Sequence, residues 1–227
     1  MAMNKYLSII TLKVNGSNAP IKSHRIGEWI RQHDPHICCH KRPISGQKIS
    51  QTESQGLETN FPSKWTGKIK AGVAILISDK IDFQRRAIKR DPEGHFIILK
   101  GRICQEDINI LNIHATNIGA PKYTKKILED CRKDIDSNTI VLGDFNTTLS
   151  KMDRTSKQNI NKDIVSLNNT LDEMYITDIY RDFHPKEAKY TFFSSVHGTF
   201  SKIDHMVGHK ASLNKFKRIQ IISSIFL

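Results

Sequence analysis

Thr139-Ile140-Val141-Leu142-Gly143-Asp144-Phe145-Asn146 is the stretch on which the fold turns. A short apolar run delivers an Asp and an Asn, two residues apart, where the run ends. Ile140, Val141 and Leu142 have the unbroken apolar character of a strand buried on both faces. Gly143 permits a close turn, and Asp144 and Asn146 then leave the strand's carboxyl edge together, the edge where α/β sheets usually place their chemistry. A carboxylate that only accepts, beside an amide that both donates and accepts, suits a phosphodiester and its attacking water. Taken alone, the stretch reads first as a plain strand closed by an Asx turn. The rest of the chain reverses that preference.

The 227 residues, 38% of them hydrophobic, suffice for one sizeable domain, 1–227, with a full core. No run approaches the ~18 to 20 apolar residues of a membrane span. Met1-Ala2-Met3-Asn4-Lys5-Tyr6 lacks the long apolar region of a signal peptide, so the expected setting is intracellular, nuclear and/or cytoplasmic, with no membrane partner. Cys38, Cys39, Cys104 and Cys131 form no CxxC pair and the histidines are scattered, which predicts reduced thiols and no zinc site. Lys and Arg number 35 against 23 acidic residues, a formal charge of +12 that attracts polyanions. Nucleic acid, DNA or also RNA, is the commonest such partner inside cells. The densest basic runs are Arg85-Arg86-Ala87-Ile88-Lys89-Arg90 and His40-Lys41-Arg42. No aromatic-interleaved basic stripe supports base stacking on single strands. No obligate protein partner is inferable.

Along the chain, residues 7–14 predict a strand closed by a turn at Asn15-Gly16. Ile21, Ile26, Trp29 and Ile30 recur at helical spacing ahead of Pro35, predicting a helix over 21–33. A short strand follows at Ile37-Cys38-Cys39, then a long polar loop over 40–68. Residues 72–78 and 81–89, separated by Asp79-Lys80, suggest a hairpin. After the turn at Asp91-Pro92-Glu93-Gly94 come strands at 96–102 and 108–114. Pro121 sits where a helix can begin, with Tyr123, Ile127, Cys131 and Ile135 on one face. Ile164, Leu167, Leu171 and Met174 mark another helix, and short apolar runs follow at 190–193, 203–207 and 218–222. Strands outnumber helices and several sit in hairpins, so two sheets packed face to face with helices outside fit better than a doubly wound sheet.

Three further segments join the opening one. Leu111-Asn112-Ile113-His114-Ala115-Thr116-Asn117 places a polar group at another strand end. Ser201-Lys202-Ile203-Asp204-His205 sets a carboxylate ahead of an apolar strand, and Thr11-Leu12-Lys13-Val14-Asn15-Gly16 ends the first strand in polar groups. In this order they resemble the endonuclease/exonuclease/phosphatase superfamily. The narrower resemblance is to the endonuclease domain of mammalian long interspersed element retrotransposons, encoded at the start of their second open reading frame. It is carried by Asp34-Pro35-His36-Ile37-Cys38-Cys39, Ala71-Gly72-Val73-Ala74-Ile75-Leu76, Gly143-Asp144-Phe145-Asn146-Thr147, Tyr190-Thr191-Phe192-Phe193-Ser194-Ser195 and Ser201-Lys202-Ile203-Asp204-His205. It runs from about residue 6 to about residue 222.

The resemblance implies an α/β fold, a four-layered α/β sandwich of two packed mixed β-sheets flanked by helices. It also implies a magnesium-dependent (Mg2+) nick in target DNA that primes reverse transcription. A carboxylate-held metal polarises the phosphate in such enzymes, and a histidine ordered by an Asp helps activate water. Carried over by position, Asp144 orients or deprotonates water, Asn146 hydrogen-bonds the phosphate, and Asp204 holds the histidine. His114 stands beside the phosphate where the family has a Tyr. Asn117, Arg154, Thr191 and Ser201 are the implied contacts to the nucleic-acid backbone.

Departures from the family pattern set the functional expectation. Relatives carry Gln-Glu-Thr just after the second strand, and its Glu is a metal ligand. The aligned stretch here is His40-Lys41-Arg42-Pro43, which puts Arg42 at the ligand position. A unit positive charge about 4 Å from a divalent cation costs roughly 8 kcal/mol at an effective dielectric of 20. The guanidinium can swing away, but it offers no oxygen to replace the lost ligand. Lys13 stands for a family Asn near the metal, and Thr116 for a Pro. Relatives continue into a Ser-Asp-His segment whose His partners the Asp at position 204 here. This chain ends at Ser223-Ser224-Ile225-Phe226-Leu227, so the last strand is expected to be missing and the apolar end to risk edge pairing. His205 alternates with Asp204 and is expected on the opposite strand face. The expectation is an endonuclease domain by descent with impaired or absent catalysis. The alternatives are a non-catalytic nucleic-acid-binding module or the relic of a decayed retrotransposon. Phosphoinositide or sphingomyelin hydrolysis is disfavoured by the retrotransposon-like phrases.

Overall fold

A computed structural model describes residues 6–13, 20–42, 57–58, 72–156 and 159–222. The chain divides into two units, Met1–Asp107 and Ile108–Leu227. It carries two large mixed β-sheets together with helices, the class expected for the α/β sandwich.

In the first unit, strand β1 (Ile9–Leu12) leads through helix α1 (Pro20–His33) to the parallel strand β2 (Ile37–Arg42). The short strand β3 (Leu57–Glu58) and strand β4 (Gly72–Ser78) complete a sheet of order β1-β2-β4-β3. Trp29 and Ile30 of α1 bury against Cys38 and Leu76, with Ile10 and Leu12 packed alongside. The indole of Trp29 stacks on His33, whose ring nitrogen also meets the Trp29 carbonyl at 3.0 Å. Strand β5 (Phe83–Arg90) pairs antiparallel with strand β6 (Phe96–Ile103), with a bulge between Arg85 and Ala87. Their connection is the predicted turn, closed by the Gly94 amide on the Asp91 carbonyl at 3.0 Å.

The expected hairpin of 72–78 with 81–89 does not form. β4 pairs with β2 and β3, while β5 pairs with β6. Gly72-Val73-Ala74-Ile75-Leu76-Ile77-Ser78 is apolar enough to lie between two neighbours, and its last four residues are buried. β5 is charged and mostly exposed, unsuited to such a position. A turn signal fixes where a chain bends, not which strands then pair.

In the second unit, strand β7 (Glu106–His114) runs parallel to strand β8 (Thr139–Asp144), and helix α2 (Ala120–Asp130) makes the crossover. Pro121 lies in the first turn of α2, where its missing amide hydrogen costs nothing. Every residue of β8 is buried, as its unbroken apolar run predicts. Helix α3 (Lys162–Glu173) starts where the Asn161 side chain accepts the Ile164 amide at 2.9 Å, and it buries Ile164, Leu167 and Leu171. Strand β9 (Ile176–Asp178) and the short helix α4 (Ile179–Phe183) follow, then the hairpin of β10 (Phe192–Ser194) and β11 (Thr199–Ser201). Strand β12 (Asp204–His209) inserts antiparallel between β8 and β9, giving the run β7-β8-β12-β9.

The short apolar run over 218–222 is irregular, with no strand partner among the described residues. The turn at Asn15-Gly16, most of the expected loop over 40–68 and the apolar end at 223–227 lie outside the described residues. Cys38, Cys39 and Cys131 are buried free thiols and Cys104 is an exposed one. Among the described residues no helix is long and apolar enough to cross a membrane.

Candidate active site

Register builds the site. His114 pairs with Asp144 across β7 and β8, and Asp144 pairs with Asp204 across β8 and β12. Directly paired residues project from the same sheet face, so an imidazole and two carboxylates form one row over three adjacent strands. The His114 Nδ1 lies 3.4 Å from the Asp144 Oδ2, and both side chains are almost fully buried. Just past the row, the Asn146 amide donates to the Asp144 Oδ1 at 3.1 Å, which is the Asx turn anticipated from the sequence. Asn146 takes a left-handed φ of 49°, a conformation Asn tolerates better than most residues. Its side-chain Nδ2 donates to the Ala115 carbonyl at 2.6 Å, tying the β8 end to the β7 end.

Gly143 makes this approach possible. Its φ is +124°, and a Cβ there would lie 2.1 Å from the Ile113 carbonyl oxygen and 2.8 Å from the Asn112 Oδ1. Only a residue without a side chain lets β8 deliver Asp144 this close to β7.

The Thr191 hydroxyl oxygen accepts the amides of Ile203 and Asp204 at 3.1 and 3.2 Å, so Thr191 fixes the chain entering β12. The Thr191 amide in turn donates to the Ser201 carbonyl at 3.0 Å. Arg154 forms a backbone bridge with Ser201, and its guanidinium donates to the Thr148 hydroxyl. Thus His114, Asp144, Asn146 and Asp204 come together, while Thr191, Ser201 and Arg154 form a second linked group leading into Asp204. Asn117 is exposed in the bend after β7. Arg42 ends β2, paired in register with Gly72, and Lys13 follows β1, both in the first unit.

Behind the row lies a buried charge network that sequence reasoning missed. Lys202 is 1% exposed and its ammonium is ion-paired with Asp178. It stands 3.8 Å from Asp153 and 2.9 Å from the Nδ1 of His205. His205 Nδ1 also lies 3.0 Å from Asp178, and its Nε2–H donates to the Thr147 carbonyl at 2.9 Å. Arg181 donates to Asp153 at 2.8 Å, and Asp153 accepts the amides of Leu149 and Ser150. Burial alone would raise the Asp178 carboxyl, but the hydrogen bond and charge of His205 and the Lys202 ammonium hold it well below the usual carboxylate range. Asp153 is lowered too, because Lys202, His205 and Arg181 outweigh its burial. His205 does face away from Asp204, as alternation predicts. The available signal was Lys202: a lysine two residues before Asp204 in an inward-facing stretch requires buried counter-charges.

Asp153, Asp178 and His205 bring ligand atoms within 4.8 Å of one another, a spacing that can hold a cation. The cation among them is the Lys202 ammonium, which meets all three groups. In the row itself, Asp144, Asp204 and the Asn146 side chain offer oxygens of the kind a magnesium ion takes.

Residues 10–223 match the family model described as the endonuclease/exonuclease/phosphatase family. The chain is 24% identical over 214 residues to the transposon TX1 uncharacterized 149 kDa protein of Xenopus laevis, covering 88% of this chain and 16% of that protein. It therefore spans about a sixth of that relative's length. An AP endonuclease from Archaeoglobus fulgidus superposes with a TM-score of 0.71 at 20% identity, covering 92% of this chain and 89% of that one. The endonuclease domain of TRAS1, a telomere-specific non-LTR retrotransposon, superposes with a TM-score of 0.65 at 14% identity, covering 91% and 86%. With the family model matched over residues 10–223, the chain belongs to the endonuclease/exonuclease/phosphatase family.

Proposed function

We propose that the chain is by descent a magnesium-dependent DNA endonuclease of the retrotransposon kind, with catalysis impaired and nucleic-acid binding retained. It would act inside the cell, on nuclear or cytoplasmic nucleic acid. The row of His114, Asp144 and Asp204, set by strand register and extended by Asn146, carries the nuclease reading. In that reading Asp144 takes a hydrogen bond from water and orients it towards the phosphorus. His114 and the second amide hydrogen of Asn146 donate to phosphate oxygens, and Arg154 and Ser201 lie along the backbone beside them. Arg42 carries the impairment: a guanidinium replaces a carboxylate oxygen and repels the ion that carboxylate would attract. The net charge of +12 supports retained binding, which is expected to weaken steeply with salt.

The test is nicking of supercoiled plasmid by the purified chain, with magnesium or with chelator, against Asp204→Ala purified in parallel. Equal background from the two proteins, together with salt-sensitive DNA binding by both, is the expected result. Magnesium-dependent nicking that Asp204→Ala abolishes would overturn the impairment.

A further inference from the structure

A cleft of about 710 Å3 opens between the segment that follows α4 and the stretch at 217–220. That is more room than one phosphate group needs. Four cationic side chains line it, Lys186, Lys189, Lys217 and Arg218, against one carboxylate, Glu187. That carboxylate is already engaged. It accepts the Tyr180 hydroxyl at 2.7 Å and pairs with Lys189 at 2.8 Å, and these two bonds lower its pKa. Lys186 and Lys217 are exposed and have no carboxylate partner among the described residues. Among the described residues Arg218 meets the neutral side chain of Gln220, at 2.6 Å.

The cleft is held in shape from behind. His184 donates from Nε2 to the Ile219 carbonyl at 2.9 Å, joining one wall to the other. Arg181 donates to the carbonyls of His184 and Glu187 at 3.2 and 3.0 Å while paired with the buried Asp153. The positive lining therefore rests on the same network that supports β12. Phe183, 37% exposed, adds an apolar surface to the wall, suited to a sugar or base edge. Lys189 lies two residues before Thr191, whose hydroxyl fixes the Asp204 amide, so the chain leads directly from the cleft to the row.

We propose that this cleft binds the phosphodiester backbone of nucleic acid beyond the position of the reactive row, with Lys186, Lys217 and Arg218 as the phosphate contacts. The proposal rests on the nucleic-acid-binding reading given above. A phosphate run matches what the cleft offers: three cations on its walls besides the paired Lys189, room for more than one anion, and a single carboxylate that is already engaged.

The test measures the affinity of the full chain for a short DNA duplex and for the same sequence as single-stranded RNA, each over a series of salt concentrations. The double variant Lys186→Gln/Lys217→Gln is compared with Lys210→Gln, which removes a surface charge outside the cleft. Each lost phosphate contact flattens the slope of log affinity against log salt by about 0.9 on duplex or about 0.7 on a single strand. The expected result is a slope shallower by about 1.8 on duplex, or about 1.4 on RNA, for the double variant, with the Lys210→Gln slope unchanged. The nucleic acid showing that shift is the one the cleft receives. Slopes equal to that of Lys210→Gln on both nucleic acids would overturn the cleft while leaving the nucleic-acid reading intact. An unmodified chain that binds neither would overturn both. Poly-glutamate competing as well as nucleic acid of equal charge would also overturn the assignment, since the surface would then select charge alone.

Discussion

At the scale of single residues, two left-handed glycines in the second unit have opposite surroundings. Gly143 combines a φ of +124° with a Cβ position 2.1 Å from the Ile113 carbonyl oxygen. Gly198, at the tip of the β10–β11 hairpin, has a φ of +60° and no atom within 4 Å of its would-be Cβ. Gly198→Ala meets only the left-handed conformational penalty, about 1–2 kcal/mol. Gly143→Ala must also push apart two backbones that carry the site, and we expect it to cost at least about 3 kcal/mol. Urea unfolding of both variants checks this. Equal losses would show that β8 relaxes away from β7 without strain, so that Gly143 does not set the His114–Asp144 approach. The opening octapeptide made the glycine's role legible, because a turn residue between a buried run and an Asp needs a reason. What it could not convey was the backbone that crowds it, since Ile113 is thirty residues away in sequence.

Among the elements, β12 depends on charges that no local pattern displays. Lys202 precedes the strand and is 1% exposed, held by Asp178 at the end of β9 and by Asp153 at the end of a short turn. Lys202→Met removes the ammonium and leaves two buried carboxylates facing each other, a loss expected at about 3–5 kcal/mol. Adding Asp178→Asn keeps a hydrogen-bond acceptor for the Arg181 amide while removing one stranded charge. The double variant should therefore be more stable than Lys202→Met alone, and a double-mutant cycle in urea measures the coupling. Additive losses would mean that the ammonium and the carboxylate act independently despite their contact. α1, α3, β8 and the start of α2 follow from local signals, whereas α2 stops at Asp130, short of the Cys131 and Ile135 that its periodicity included. The pairing of β4 with β2 and β3, and the joining of Asp153, Asp178, Lys202 and His205, depend on segments about 20 to 50 residues apart, which spacing within a window does not encode. The row itself was half visible: Asp144, Asn146 and Asp204 as strand-end polar groups, but not the register that aligns them.

For the whole molecule, the shifted groups limit stability from both ends of the pH scale. In the second unit, Asp178 and Asp153 are more acidic folded than unfolded. The unfolded chain then binds more protons below a pH of about 4, so the stability these carboxylates contribute is complete above the ordinary value near 3.9 and is lost as pH falls through the folded values. In the first unit, burial pushes the Cys38 thiol from an ordinary value of 9.0 up to about 12, and burial followed by the neighbouring Cys38 raises Cys39 as well. Unfolding exposes thiols that ionise near pH 9, so the unfolded chain binds fewer protons there and stability declines as pH rises from about 9 towards 12. Urea midpoints should accordingly form a plateau between about pH 5 and 8 and fall on either side. Asp178→Asn should flatten the acid limb and leave the alkaline limb unchanged. Cys38→Ala/Cys39→Ala lowers the whole curve by opening space beside Trp29 and Leu76, yet should flatten the alkaline limb, because slope reports proton uptake and packing loss does not. Should the cysteine variant keep the full alkaline slope, ionisation elsewhere drives that limb. The first unit's core would then not be its source.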